Sequence, residues 1–176
     1  RQQVVARLRR LEARDASAGG REWRAYLSTL TAQNVPGVNA RDRIGEGPWY
    51  NASGAMVAAN VAELHGDFER DRNNIRKPTA LNERGEVVNG VGDTPNQHDI
   101  LTGSDSHGRA LIGAPVVATC TNWTSNAPEG RAMLGHHDRL GGANASWNAV
   151  HLSNGCGQEN LVATGGAGLF YCFAAD

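Results

Sequence analysis

The sequence of 176 residues has few aromatic residues, few prolines, three cysteines and almost no net charge. A formal charge of −1 provides no global field that would attract nucleic acid or an anionic membrane, so we expect neither partner. A membrane-spanning helix needs about 20 apolar residues, whereas the apolar runs here contain only a few, so we expect no membrane span. The cysteines form no C-x-x-C pair, which excludes a zinc ribbon and a thioredoxin-type site.

Glycine, in contrast, is abundant, with 22 residues in the chain. This content is well above the usual value of about 7% and predicts a loop-rich body with many positive φ angles. Helical spacing of apolar residues predicts one helix over Arg21–Leu30 and a second over residues 53–65, with Met56 and Val57 in the core. Short apolar pairs between turn residues follow and predict strands. The expected fold class is therefore α+β, with two helices and short, loop-rich antiparallel strands.

The first residues follow a heptad pattern. Val4, Leu8 and Leu11 fit positions d, a and d, which places Arg7 at g and Glu12 at the following e. This pattern predicts a coiled-coil stalk over residues 1–18, with a homo-oligomer, expected to be a trimer, held together through residues 1–15. The alternative is a single amphipathic helix lying on the body of the domain, because fewer than two heptads are marginal alone. The domain itself is predicted to span residues 19–176.

The second half of the chain carries an ordered series of motifs. They are HDILTGSDSHGRAL over residues 98–111, CTNWTS over 120–125, Ala127-Pro128, Trp147-Asn148 and LFYCF over 169–173. Together with WRAYLS over residues 23–28, this order resembles the endostatin domain of certain collagens and the bacterial endostatin-like outer-surface proteins. The resemblance covers about residues 20–174 and implies a C-type-lectin-like fold, in which Trp123 and Trp147 are core anchors.

The three cysteines alone allow three different disulfide pairings. The resemblance implies the pair Cys120–Cys156, which would stabilise the chain by roughly 3–4 kcal/mol through loop closure. It also implies a partner for Cys172 near the first helix, but Arg10 stands at about the expected position. We therefore expect either no second disulfide or a buried Cys172 thiol.

The resemblance implies a non-enzymatic binding module that is secreted or displayed at the cell surface. We expect it to form the ligand-binding tip of an oligomeric fibre or adhesin, which recognises a glycan or a matrix or surface protein. Such display multiplies weak affinity through avidity. Loops on a rigid scaffold carry variable recognition, so we assign ligand binding to loop residues of the second half. They are Asn126, Glu129, His136, His137, Asp138 and Arg139.

A calcium-dependent lectin is the first alternative. Sugar-binding C-type lectins hold calcium with a Trp-Asn-Asp segment, among other oxygen ligands, whereas this chain has Trp147-Asn148-Ala149. If calcium binds despite this loss, the candidate ligands are Asn148, Glu159 and Asn160. The alternative is that these side chains bind no calcium and cap turns through hydrogen bonds, as Asn does routinely.

A metal-dependent enzyme is the second alternative. His136, His137 and Asp138 are residue types that bind zinc, and His98-Asp99 and His107 raise the same question. Adjacent residues of an extended chain point to opposite faces, so His136 and His137 are not expected to converge on one ion. We favour a solvated loop for this segment. The sequence has no HExxH motif, phosphate loop or G-x-S-x-G elbow, so we expect no enzyme and no obligatory cofactor.

Overall fold

The computed structural model describes residues 20–67, 73–141 and 145–176, and the predicted stalk over residues 1–18 lies outside them. The described residues form eight short strands and three helices, besides a 3-10 turn at Ala40–Asp42. The strands are β1 (Trp23–Ala25), β2 (Trp49–Tyr50), β3 (Met56–Ala58), β4 (Asp99–Leu101), β5 (Met133–His136), β6 (His151–Leu152), β7 (Gly166–Phe170) and β8 (Cys172–Ala174). The helices are α1 (Val61–His65), α2 (Cys120–Trp123) and α3 (Gln158–Ala163). This arrangement confirms a mixed α+β class.

Three small sheets organise the described strands. The largest has the order β6-β5-β4-β7, and the others pair β1 with β8 and β2 with β3. All pairs are antiparallel except β4 and β7, which run parallel, so the prediction of purely antiparallel strands was wrong at this pair. The longest helix in the described ranges has six residues, so no helix there is long and apolar enough to cross a membrane.

The predicted helix over Arg21–Leu30 is wrong, because this segment is extended and begins with β1. Its partner β8 is far away in the chain, and Trp23 pairs with Ala174. Tyr26 and Leu27 are adjacent, yet they are buried in two different hydrophobic clusters. An extended chain that passes between two cores buries both of its faces, and this burial imitates the apolar spacing of a helix.

The second predicted helix, over residues 53–65, exists only in its last turn. Its beginning is strand β3, and Met56 there is exposed rather than buried in the core. Asn60 marks the true start of α1, because its side chain accepts a hydrogen bond from the Glu63 amide at 2.9 Å. Asparagine is a strong N-cap residue, and this cap separates the strand from the helix.

The disulfide Cys120–Cys156 is present, as the resemblance implied, with a Cα–Cα distance of 5.7 Å. Cys172 lies outside this bond and is exposed, so of the two expected alternatives the buried thiol is wrong. Helix α2 is one left-handed turn, since φ is positive at each of its four residues. Trp123 anchors this turn in the second cluster, and its indole N–H donates to the Ser28 carbonyl at 2.8 Å. Trp147 lies in the first cluster, so both predicted anchors are confirmed.

Candidate metal centre

The register of the largest sheet brings three polar side chains to one face. Asp99 of β4 pairs directly with His136 of β5, and residues that pair directly across an antiparallel ladder point to the same face. His151 of β6 pairs with Leu134, which lies two residues before His136 and therefore also shares its face. His98 immediately precedes β4. We call His98, Asp99, His136 and His151 the histidine–aspartate cluster.

The cluster converges on one carboxylate oxygen. Asp99 Oδ1 lies 3.0 Å from His136 Nε2, 3.4 Å from His98 Nε2 and 3.6 Å from His151 Nε2. The Nε2 atoms of His136 and His151 are 3.1 Å apart. The rings of His98 and His136 are stacked, with centroids 3.9 Å apart. Three imidazoles thus direct the same ring nitrogen toward one buried carboxylate.

The opposite ring nitrogens determine which nitrogen carries the proton. His136 Nδ1 lies 2.8 Å from the Leu140 carbonyl, and His151 Nδ1 lies 3.1 Å from the Leu152 carbonyl. A carbonyl oxygen only accepts hydrogen bonds, so each of these Nδ1 atoms donates. In the neutral imidazole, Nε2 then carries a lone pair directed at Asp99. Metal-binding histidines are oriented in this way by hydrogen bonds of their second nitrogen.

His98 is oriented by a carboxylate rather than by a carbonyl. Its Nδ1 lies 3.3 Å from Asp138 Oδ1. Burial works against the charged form of Asp138, but hydrogen bonds from the Val91 and Leu140 amides outweigh it and lower the pKa of this carboxyl. Asp138 is therefore ionised at neutral pH and accepts the hydrogen bond from His98. A carboxylate–histidine pair of this kind raises the basicity of the ligand nitrogen.

Asp99 is the buried carboxylate of the cluster, and its burial needs compensation. It is buried, and among the described residues neither of its carboxylate oxygens has a hydrogen-bond partner. Burying an unpaired charge is costly unless a cation compensates it. Burial works against the charged form of His136, but the Asp99 carboxylate, whose Oδ1 lies 3.0 Å from His136 Nε2, outweighs it and raises the pKa of this imidazole. A proton on His136 would satisfy only the contact between His136 and Asp99. A divalent ion would bind Asp99 Oδ1 and the three converging Nε2 atoms together.

The distances between these donor atoms fit a small tetrahedral ion. Zinc binds histidine nitrogen and carboxylate oxygen at about 2.0–2.2 Å. In a tetrahedral site, bonds of this length place neighbouring ligand atoms about 3.3 Å apart. The distances from Asp99 Oδ1 to the three Nε2 atoms and between the Nε2 atoms of His136 and His151 run from 3.0 to 3.6 Å and bracket that value. The ligand atoms of His98, Asp99 and His136 all lie within 4.8 Å of one another, and His151 lies at the margin of this group. Calcium prefers six to eight oxygen ligands at about 2.3–2.6 Å, which this nitrogen-rich set does not provide.

A glycine lies directly against the cluster. A Cβ at Gly165 would lie 3.3 Å from His98 Nε2 and 2.7 Å from the side-chain nitrogen Nδ2 of Asn96. Its φ of +99° also disfavours any side chain. Gly165 therefore leaves room beside the nitrogen that faces Asp99.

The structure corrects the predicted solvated loop at His136, His137 and Asp138, because all three are buried. The prediction that the two histidines do not converge is confirmed. His136 faces Asp99, whereas His137 Nε2 donates to the Asn89 carbonyl at 3.0 Å. Burial lowers the pKa of His137, so it is neutral at physiological pH. The strand alternation from β5 into the following turn gives each side chain a different role.

Other predicted ligand residues lie elsewhere. Asn126 and Glu129 are exposed in the loop after α2, and His107 is exposed beside Asp67. Arg139 is half-buried, and its guanidinium donates to the Ile75 carbonyl at 2.7 Å and to Asn73 at 2.6 Å. The predicted recognition residues therefore do not form a single solvent-facing surface.

The predicted calcium ligands are also separated by their environments. Asn148 is fully buried, and its amide donates to Tyr26 Oη at 2.9 Å while its carbonyl accepts from Ser146. Glu159 is exposed on α3, and Asn160 is half-buried on the same helix. The side chain of Asn148 therefore takes part in the hydrogen bonding of the core.

The sequence did not point to His151, and it indicated His98 and Asp99 only as possible zinc ligands. The sequence signal for Asp99 was its place directly before the apolar pair Ile100-Leu101, at the start of β4. Neither the scan against protein-family models nor the search of curated proteins found a match for this chain. The resemblance to endostatin-like domains stays a prediction.

Proposed function

We propose that this chain is a zinc-binding domain, with zinc held by His98, Asp99, His136 and His151. The observation that carries the proposal is the convergence of three Nε2 atoms on Asp99 Oδ1, at 3.0, 3.4 and 3.6 Å. Each imidazole is oriented by an acceptor on its other nitrogen. This combination of donor spacing and outer hydrogen bonds is typical of histidine-rich zinc sites.

The disulfide supports placement of this domain in an oxidising, extracellular compartment. Disulfides persist there and are rare in the cytosol. The Cys120–Cys156 bond belongs to the second hydrophobic cluster, whereas Asp99 and His136 belong to the largest sheet. Leu101 of β4 and Phe170 of β7 pack against this hydrophobic cluster, so zinc and the disulfide would both support the largest sheet.

Metal analysis of the full chain tests the proposal. The protein, produced without a polyhistidine tag, is stripped with a chelator and then dialysed against zinc. We expect one zinc ion per chain and a higher unfolding temperature, since free zinc at 100 times the Kd adds about 2.7 kcal/mol to the free energy of unfolding. A wild-type chain without stoichiometric zinc would contradict the proposal.

Three variants test whether zinc binds at the histidine–aspartate cluster or at another place in the chain. Asp99→Asn is nearly isosteric and removes a buried charge, so its expected loss of zinc does not depend on unfolding. His136→Ala is also expected to lose zinc. His107→Ala is the control, because His107 Nδ1 lies 3.2 Å from Asp67 instead. Wild-type zinc content in Asp99→Asn and His136→Ala would place any bound zinc elsewhere.

Recognition of a glycan or a surface protein is a second candidate function, supported by the resemblance. The observation that favours it is a shallow polar depression beside the left-handed turn, lined by Thr121, Thr124, Ser125 and Asn126. A glycan-array screen with and without chelator tests this role. Binding that Asn126→Ala abolishes would support it, whereas no binding in either arm would count against a glycan ligand.

A further inference from the structure

The four members of the histidine–aspartate cluster are not held equally. The side chains of His98, Asp99 and His136 are 8%, 1% and 2% exposed, whereas that of His151 is 37% exposed. Asp99 and His136 lie on the two inner strands of the largest sheet. His151 lies on β6, an edge strand of two residues. Three of the donors are therefore buried in the fold, and the fourth faces solvent at the edge of the sheet.

The hydrogen bonds of the imidazoles show the same inequality. His98 is held by Asp138, and His136 is held by the Leu140 carbonyl, so both bonds reach outside the ligand's own strand. His151 Nδ1 bonds only to the carbonyl of the next residue, Leu152. His151 Nε2 is also the farthest of the three from Asp99 Oδ1.

Three fixed ligands and one open position distinguish zinc sites that accept outside ligands from closed structural sites. Resting on the zinc centre proposed above, we infer that His151 is an exchangeable ligand and that zinc accepts a small carboxylate-type oxygen donor in its place. The incoming oxygen brings an electron pair as His151 Nε2 departs with its own, so no electrons are transferred. Three neutral imidazoles and Asp99 leave one net positive charge on the centre, which favours a singly charged anion.

Cobalt substitution with acetohydroxamate as the probe tests this inference in the full chain. Cobalt reports its coordination through its visible absorption bands. We expect acetohydroxamate to change the spectrum of the wild-type protein. We also expect His151→Ala to retain cobalt and to bind the probe about tenfold more tightly, because no internal ligand competes for the position. His136→Ala is the matched variant of a fixed ligand and is expected to lose cobalt, whereas His107→Ala is expected to behave as wild type.

The outcomes separate this inference from the proposed function. A wild-type chain that binds neither zinc nor cobalt overturns both. Stoichiometric metal in the wild type, together with a loss of metal in His151→Ala as severe as in His136→Ala, overturns only the exchangeable position. A cobalt spectrum that saturating acetohydroxamate leaves unchanged in both the wild type and His151→Ala overturns it as well.

Discussion

Asp138→Asn tests how an outer hydrogen-bond partner supports the proposed zinc site without changing any of its ligands. Asp138 does not belong to the histidine–aspartate cluster, but its Oδ1 lies 3.3 Å from His98 Nδ1. An amide in its place is neutral and accepts a weaker hydrogen bond, so His98 becomes less basic and less firmly oriented. Loss of such an outer partner reduces metal affinity by about 10–100-fold, or about 1.4–2.7 kcal/mol.

The same substitution also changes the stability of the metal-free chain. Asp138 Oδ2 accepts from the Val91 amide at 2.7 Å, and Oδ1 accepts from the Leu140 amide at 3.0 Å. An asparagine has one accepting oxygen, so at least one of these part-buried donors loses its partner. We expect the free energy of unfolding to fall by about 1 kcal/mol, the net contribution of one hydrogen bond, because water reaches a part-buried donor.

Two assays measure these effects separately. Competition with a chromophoric chelator gives the zinc affinity, and urea unfolding of the metal-free protein gives the stability. Asp105→Asn is the matched control, because Asp105 Oδ1 accepts from the His107 and Arg109 amides and no described contact joins it to the cluster. Wild-type zinc affinity in Asp138→Asn, or an equal loss in Asp105→Asn, would refute the assigned role of Asp138.

Three further predictions concern stability and are measured by urea unfolding. Burial lowers the pKa of His65 from 6.5 to about 4, so the unfolded chain binds the proton first. The free energy of unfolding is therefore expected to fall by about 3 kcal/mol from pH 6.5 to pH 4, with a flatter profile in His65→Gln. Replacing both Cys120 and Cys156 by Ala is expected to cost about 4 kcal/mol through the lost loop closure, and wild-type stability would contradict this. Thr121→Gly is expected to stabilise by about 1 kcal/mol, because φ is 56° there, whereas Thr124→Gly, at φ −103°, is expected to destabilise by about as much. Equal signs would refute the assigned backbone strain.

Features that depend on local chemistry were predictable from the sequence. The α+β class and the two tryptophan anchors follow from composition and apolar pattern. The Cys120–Cys156 bond was implied by the resemblance, since the three cysteines alone allow three pairings. The extended segment at Tyr26 and Leu27 was not predictable, because each of these residues enters a different hydrophobic cluster. Apolar spacing records that a residue is buried, and it does not record which core receives it.

The candidate site was predictable only in part for a similar reason. Alternation along a strand correctly separated His136 from His137, since that property is local. The meeting of His151 with Asp99 depends on β6 and β4 both joining β5, which is a long-range property of the sheet. Nothing in the residues around His151 specifies that register.

The location of Asp99 would link the proposed zinc site to the folding of the sheet. Asp99 pairs with His136 on one side and with Gly166 on the other, so it lies in the interior of the largest sheet. An apolar residue there would avoid the cost of burying a carboxylate without hydrogen-bond partners. Zinc bound in the folded state would offset that cost, and the unfolded chain would not hold the four donors together. Zinc affinity would therefore contribute directly to the folding free energy, so the metal-free protein should open first at this face of the sheet.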